Sequence, residues 1–182
     1  MNQCIGFLEL NSIAKGVEAA DSILKTAETR LLFARAGCPG KYYILFSGEV
    51  ASVTSSLEAG KAIGQSHVVD SVVIPSVHPA VLLAINQVVE PVPVNALGVM
   101  EYFSVTAAVW GADAAVKAAE VDLMDVRLGT GIGGKSFVIL SGDVAAVHEA
   151  VEAGVAAARE NGLLVSQVVI PNPREEIFNS LL

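Results

Sequence analysis

The sequence predicts an α+β (α/β) protein made of two tandem copies of one domain. Three observations carry this expectation: segments of the first half recur in the second, strand-like and helix-like segments alternate in the same order in both halves, and each half contains a glycine-rich hairpin. Solenoid repeats are shorter, at roughly 20 to 50 residues, so a repeat of half the chain indicates a duplicated domain.

Matching positions in the two halves are separated by a nearly constant number of residues, which we call the offset. Gly6 falls on Gly98 at an offset of 92. The segment LFSGEVASVTSSLEAG at 45–60 falls on ILSGDVAAVHEAVEAG at 139–154 at an offset of 94, and VVIP at 72–75 falls on VVIP at 168–171 at an offset of 96. Each change of two residues falls in a loop. The repeat predicts a first domain over 1–88, a proline-containing linker over 89–95, and a second domain over 96–182.

Each copy is predicted to contain a strand, a helix, a hairpin, a helix, a strand and a short helix. This order gives a mostly antiparallel four-stranded sheet with flanking helices in a ferredoxin-like arrangement. The first helix of each copy keeps an apolar stripe at the 3.6-residue period, formed by Ile13, Val17, Ala20, Leu24 and Ala27 and by Val105, Val109, Ala112, Val116 and Ala119. Gly60 and Gly154 in the second helices predict close approach of a neighbouring element, because glycine inside a helix costs about 0.5 to 1 kcal/mol.

The stretch GTGIGGKS at 129–136 matches the phosphate-loop pattern G-x-x-x-x-G-K-[ST]. A phosphate loop requires a helix after the lysine, because the helix N-terminus binds the phosphates. Here the apolar run Phe137-Val138-Ile139-Leu140 predicts a strand instead. We therefore interpret the stretch as a hairpin tip and expect it not to bind nucleotides.

Composition excludes several classes of partner. The net charge is −8 and the eleven basic residues form no run, which argues against nucleic acid. The longest span without charged residues, 71–89, contains Pro75 and Pro79, which is wrong for a membrane helix, and no export signal is visible because Glu9 and Lys15 interrupt the N-terminus. Hydrophobic residues make up 53% of the chain, so we expect other subunits to cover part of its surface.

The two cysteines, Cys4 and Cys38, predict a reducing compartment and no disulfide framework. Cys4 begins an apolar strand, where cysteine behaves as a small hydrophobe. The three histidines lack metal-ligand spacing, and we find no catalytic triad, carboxylate pair or HExxH motif. No reaction is therefore assigned, and the chain is predicted not to be an enzyme.

Several segments resemble the bacterial microcompartment (BMC) shell domain. They are IGFLEL (5–10), LGVMEY (97–102), the hairpins ending in GK, SGEVASV and SGDVAAV. A tandem pair in this order resembles the trimeric shell proteins, in which three chains and six domains fill a hexagonal tile. The loop CPGK at 38–41 is similar to that of the iron–sulfur-carrying shell proteins of propanediol-utilisation compartments.

The resemblance implies that two hairpin loops line a central pore. The implied pore-lining residues are Gly37, Cys38, Pro39, Gly40, Gly131, Ile132, Gly133 and Gly134. It also implies that Cys38 of three chains binds one [4Fe-4S] cluster per trimer, one iron having a non-protein ligand. In this hypothesis Gly37 and Gly40 leave backbone amides free to point at the sulfides.

The same resemblance places Lys25, Lys117 and Arg174 at the tile edge, with His78 taking the place of Arg174 in the first copy. It implies a structural protein of a cytoplasmic microcompartment shell. Its partners would be itself, other shell proteins and a redox enzyme, but neither nucleic acid nor membrane. Two alternatives remain open: a cluster-free tile with a metabolite-conducting pore, and a soluble small-molecule sensor or enzyme on a duplicated ferredoxin-like domain.

Overall fold

A computed structural model describes residues 3–87 and 95–179, so most of the predicted linker at 89–95 lies outside the described residues. The elements of the first repeat are β1 (Gln3–Leu10), α1 (Ile13–Thr26), β2 (Thr29–Gly37), β3 (Lys41–Gly48), α2 (Val50–Gly64), β4 (Val68–Val77) and α3 (Pro79–Ile85). Those of the second are β5 (Ala96–Tyr102), α4 (Val105–Ala118), β6 (Asp122–Leu128), β7 (Ser136–Gly142), α5 (Val144–Glu160), β8 (Leu164–Pro171) and α6 (Glu175–Asn179).

Two four-stranded sheets confirm the predicted fold class. Their strand orders are β2-β3-β1-β4 and β6-β7-β5-β8, and the paired strands run antiparallel. The register preserves the sequence offsets, since Gly6 pairs with Phe46 in one sheet and Gly98 with Leu140 in the other. The two sheets are therefore equivalent strand by strand.

The chain divides into two compact units whose boundaries differ from those of the repeats. The first unit contains residues 1–77 together with 104–106 and 129–135, and the second contains 78–103, 107–128 and 136–182. Helix α3 thus belongs to the second unit. The start of α4 and the loop after β6 belong to the first unit.

In the first unit, α1 turns a different face to the core from the one that its apolar stripe predicts. Its buried residues are Gly16, Ala19, Ala20 and Ile23. Three large residues of the stripe are exposed instead: Ile13 is 46%, Val17 54% and Leu24 41% exposed. Their counterparts Val105 and Val109 in α4 are fully buried. The stripe of α1 is therefore apolar surface outside the core of its own unit.

The helix glycines confirm the predicted close approach in the second unit. A Cβ atom on Gly154 would lie 2.9 Å from the carbonyl oxygen of Gly111, so the backbones of α4 and α5 meet there. In the first unit, a Cβ on Gly60 would instead meet the side chain of Ile23 at 2.7 Å. Glycine thus makes room for backbone in one copy and for a side chain in the other.

Candidate metal centre at the hairpin loops

Both glycine-rich loops connect antiparallel strands. Residues 38–40 join β2 to β3, and residues 129–135 join β6 to β7. The predicted strand after Lys135 is confirmed, because β7 begins at Ser136. Gly131, Gly133 and Gly134 have φ angles of 77°, 67° and 78°, a region that favours glycine.

The first unit brings the two loops together. The amide of Cys38 donates to the carbonyl oxygen of Gly129 at 3.2 Å. A Cβ atom on Gly134 would lie 2.5 Å from the carbonyl oxygen of Cys38, so that position has no room for a side chain. Cys38 and Gly134 therefore lie close together within one chain.

Tyr43 holds the cysteine loop from inside the unit. Its hydroxyl donates to the carbonyl oxygen of Cys38 at 3.2 Å, and the side chain is fully buried. Burial raises the pKa of the Tyr43 phenol, and the charges of Glu9 and Cys38 raise it further, so the group stays a neutral donor. A Cβ on Gly37 would lie 2.1 Å from the Tyr43 ring. Gly37 is thus required for packing against this ring.

One expectation about the loop amides is wrong. The amide of Gly40 donates to the carbonyl oxygen of Gly37 at 2.9 Å, which closes a tight turn. The amide of Cys38 is bound to Gly129 in the same way. The amide of Gly40 is therefore not free to point at a sulfide, while the same expectation for the amide of Gly37 stays a prediction.

Behind the loops lies a buried carboxylate that the sequence-based reasoning missed. Glu9 in β1 is 0% exposed, and its Oε1 atom accepts from Lys41 Nζ at 2.6 Å. The same Nζ atom donates to the carbonyl oxygen of Gly134 at 3.2 Å. Lys41 therefore connects the carboxylate to the loop that packs on Cys38.

The other oxygen of Glu9 binds the start of α4. Oε2 accepts from the amides of Val105 at 2.8 Å and Thr106 at 3.3 Å, and from the hydroxyl of Ser104 at 3.1 Å. A carboxylate is favourable there because the first amides of a helix lack intrahelical partners. The signal that could have found this role is the acid inside the apolar strand IGFLEL, repeated in LGVMEY.

The two cysteines differ as predicted in burial. Cys4 is 3% exposed, and burial, followed by the charge of Glu49, raises the pKa of its thiol. Cys38 is partly exposed. Because the thiolate is the form that binds metals, the buried Cys4 is a poor candidate for a metal ligand.

The donor set of one chain does not complete a metal site. Within residues 3–87 and 95–179, no group of three or more His, Cys, Asp or Glu side chains could hold a metal ion. An iron–sulfur cluster normally requires four thiolates. The residues present fit such a cluster only if several chains each contribute Cys38.

Each of the three predicted tile-edge residues pairs with an acidic side chain close to it in the sequence. Lys25 is 74% exposed and pairs with Asp21 at 2.6 Å, while Lys117 is 43% exposed and pairs with Asp113, whose side chain is 5% exposed. Arg174 is 82% exposed and pairs with Glu176 at 3.1 Å. Their role at an edge stays a prediction.

No helix in the described part of the chain is long and apolar enough to cross a membrane.

Known proteins resemble the chain over its whole length. PduT of Citrobacter freundii, a bacterial microcompartment shell protein, is 41% identical over 182 residues, which cover 100% of this chain and 99% of PduT. The crystal structure of a microcompartment protein from Desulfitobacterium hafniense matches with a TM-score of 0.86 and 48% identity, covering 98% of this chain and 99% of that one.

A single repeat has relatives of its own. EutM of Salmonella typhimurium, also a bacterial microcompartment shell protein, is 44% identical over 88 residues, which cover 46% of this chain and 88% of EutM. The BMC domain family matches residues 4–77 and again residues 96–173. The chain therefore belongs to the BMC-domain family, as a tandem-domain bacterial microcompartment shell protein.

Proposed function

We propose that the chain is a non-enzymatic structural protein of which three copies form a pseudohexameric tile. The tile would occupy a facet of a bacterial microcompartment shell in the cytoplasm, beside other shell proteins. The equivalence of the two sheets supports this proposal, because two equivalent domains per chain give a trimer six similar positions. The exposed apolar stripe of α1 supports it too, since such surface in a folded chain marks an interface.

We further propose that Cys38 of three chains holds one [4Fe-4S] cluster at the centre of the tile. The observation that carries this proposal is the partly exposed thiol of Cys38, on a loop whose amides at Cys38 and Gly40 are already bound within the protein. Such a cluster supplies one-electron transfer, which would connect redox enzymes on the two sides of the shell.

The chain's own residues would hold the thiol in place. Tyr43 and Gly129 fix the backbone of Cys38 through its carbonyl and its amide. Lys41 ties the adjacent loop to Glu9 in the sheet. The backbone of Cys38 would thus be anchored to β3 through Tyr43 and to the loop 129–135, which Lys41 ties to Glu9 in β1.

Replacement of the cysteines tests the proposal directly. Anaerobic reconstitution with iron and sulfide is expected to give about four irons per three chains, visible absorbance and an electron paramagnetic resonance signal after reduction. Cys38→Ser is expected to remove all three while leaving the trimer and its melting temperature nearly unchanged. Cys4→Ser is the matched control and is expected to keep the iron.

Three results would contradict parts of the proposal. Full iron retention in Cys38→Ser would exclude this cysteine as the ligand. A trimeric parent that stays colourless after reconstitution would support the cluster-free tile with a pore. A parent that is monomeric and does not form sheets would favour the soluble sensor.

A further inference from the structure

The cysteine loop, residues 38–40, has no backbone amide to offer a cluster. The amide of Cys38 donates to the carbonyl oxygen of Gly129 at 3.2 Å, and the amide of Gly40 donates to that of Gly37 at 2.9 Å. Pro39 between them has no amide hydrogen. A cluster held by thiolates is anionic, and hydrogen bonds to its sulfur atoms are among the features that set its reduction potential. Amide donors for those sulfur atoms therefore have to come from a segment outside residues 38–40.

The loop 129–135 lies against Cys38, and both belong to the same compact unit. Near the start of this loop, the carbonyl oxygen of Gly129 accepts from the amide of Cys38. Near its end, a Cβ atom on Gly134 would lie 2.5 Å from the carbonyl oxygen of Cys38. Residues 130–133 are thus held beside the cysteine by a contact on either side.

Three consecutive amides of this loop have no acceptor within the chain. The amides of Gly131, Ile132 and Gly133 make no hydrogen bond to residues 3–87 and 95–179, which the structure describes. Gly131 and Gly133 are exposed, and a Cβ atom on either would meet no atom within 4 Å, so packing does not require glycine there. Their φ angles of 77° and 67° do favour it. Successive amides in turns of this kind form concave nests that bind anions, including iron–sulfur clusters.

Two carbonyl groups of the same loop are engaged by donors of the chain. The carbonyl oxygen of Ile132 accepts from the amide of Lys135 at 3.3 Å, and that of Gly134 accepts from Lys41 Nζ at 3.2 Å. Lys41 is itself fixed by Glu9 at 2.6 Å. Since a carbonyl oxygen repels an anion, engaging these two oxygens lets the tip of the loop present its amides. The loop is also anchored before any ligand binds, so binding requires little further ordering.

We propose that the amides of Gly131, Ile132 and Gly133 donate to the sulfur atoms of the cluster that Cys38 holds. One hairpin of the chain thus supplies the thiolate, and the other supplies the amide donors. The inference rests on the proposed cluster and identifies the residues that adjust its reduction potential. An amide donor stabilises the more negative, reduced cluster more than the oxidised one, so these amides raise the potential.

The inference also accounts for the glycine pattern that matches a phosphate loop. Residues 129–134 keep the exposed amides of such a loop, although a strand and not a helix follows the lysine. The second hairpin is two residues longer than the first, because the offset changes from 92 to 94 across it. The longer loop has room for three free amides in a row, which the tight turn at 38–40 lacks.

Removal of one amide hydrogen tests the proposal. Ile132→Pro removes the amide hydrogen and keeps the carbonyl group that accepts from Lys135, and Ile132 is not among the residues with a positive φ. In a redox titration of the anaerobically reconstituted trimer, followed by electron paramagnetic resonance, we expect the equilibrium constant for reduction to fall about tenfold, which is about 59 mV for one electron. Ile132→Val keeps the amide and is expected to keep the potential of the parent.

Hydrogen–deuterium exchange gives a second measurement on the parent sequence. Loading the cluster is expected to slow exchange of the amides at 131–133, and Cys38→Ser treated in the same way is expected to show no slowing. If Ile132→Pro holds no cluster, the exchange measurement decides alone. A parent that holds the cluster but has unprotected amides at 131–133, or the same potential as Ile132→Pro, would overturn this inference and leave the cluster proposal standing. A parent that binds no cluster after reconstitution would overturn the cluster proposal itself.

Discussion

Glu9 is fully buried, forms an ion pair with Lys41 and accepts hydrogen bonds from two backbone amides. Its carboxylate also binds Lys41 at 2.6 Å, and the Lys41 side chain is only 15% exposed. Removing one member of such a pair leaves the other charge without its partner in a nonpolar environment. The energetic effect therefore exceeds that of a surface ion pair.

We expect Glu9→Gln to lower the free energy of unfolding by about 3 kcal/mol or more, since the amide keeps the shape but cannot balance Lys41. Urea denaturation of the parent and the variant measures the difference. Glu58→Gln is the matched control, because Glu58 pairs with Lys61 on the surface, and it is expected to change stability by about 0.5 kcal/mol or less. Equal midpoints for Glu9→Gln and the parent would show that the buried pair does not stabilise the fold.

For single residues, the sequence predicted the burial of the two cysteines but not the hydrogen-bond partners of Glu9 and Gly40. The burial of Cys4 followed from its place in an apolar strand, and the partial exposure of Cys38 from its place in a turn. The acid inside an apolar strand marks Glu9 as unusual, but its hydrogen-bond partners at the start of α4 could not be predicted, because they lie about one repeat away in the sequence. The wrong expectation for the Gly40 amide has a similar cause. The hydrogen bond that closes a turn engages one of its own amides, and the presence of glycine does not show which amide this is.

At the scale of the elements, the hairpin between β6 and β7 shows that a match to a short sequence motif does not by itself establish the structure that the motif normally adopts. The loop 129–135 matches the phosphate-loop pattern, yet a strand follows it, and the amide of Lys135 donates to the carbonyl oxygen of Ile132 at 3.3 Å. The helix N-terminus that would bind phosphate is absent from this part of the described chain.

The protein is accordingly expected to show no saturable heat when Mg-ATP or Mg-GTP is added in a calorimetric titration. The reason is the missing helix after the loop, which a matching sequence of glycines cannot replace. Lys135→Ala should give the same trace as the parent. Micromolar binding that disappears in Lys135→Ala would mean that the hairpin loop binds phosphate by another route.

The order and type of the elements were predictable, but the orientation of α1 was not. Its stripe of Ile13, Val17 and Leu24 has a correct helical period and yet lies at the surface. Periodicity identifies which residues of a helix are apolar together. It does not tell whether the chain's own core or a neighbouring molecule covers them. Helix α4 has the same stripe, but its Val105 and Val109 are buried within the chain. The same apolar pattern therefore lies in the core in one copy and at the surface in the other.

At the scale of the whole molecule, the two lysines predicted to lie at the tile edge differ in what they contribute to the fold. Lys25 pairs with Asp21 on the surface, where an ion pair contributes about 0 to 1 kcal/mol. Lys117 differs, because its partner Asp113 is buried and also binds the amide of His78. The two lysines occupy equivalent positions but have unequal importance for the stability of the chain.

We expect Lys25→Ala to leave the trimer and its melting temperature unchanged while weakening sheet formation, because alanine lacks the long stem that would pack at a tile edge. Lys117→Ala should weaken sheets and also lower the melting temperature. Light scattering and negative-stain electron microscopy measure the sheets. Lys61→Ala, on the exposed face of α2, serves as the control. Unimpaired sheets in both variants would remove these lysines from the edge.

The duplication could be predicted in full from the offsets of 92, 94 and 96. The offset changes only in loops, and within the strands the two sheets have equivalent registers. The division into compact units could not. It depends on residues 104–106 and 129–135 joining the first unit and on α3 joining the second, which are long-range contacts without a local signature.

Each compact unit contains segments of both repeats, so one repeat cannot be replaced without changing both units. A chimera could be made by cutting between the repeats and grafting on the second half from a one-repeat relative. It would keep Glu9, Cys38 and Tyr43 but replace their partners Ser104, Val105 and Gly129. The halves have to be inherited as a matched pair, so a change on one side of the fusion restricts which changes the other side tolerates. Recombination at the linker is therefore a poor route to new variants. Paired substitutions, one in each half at residues that contact each other, are the better route.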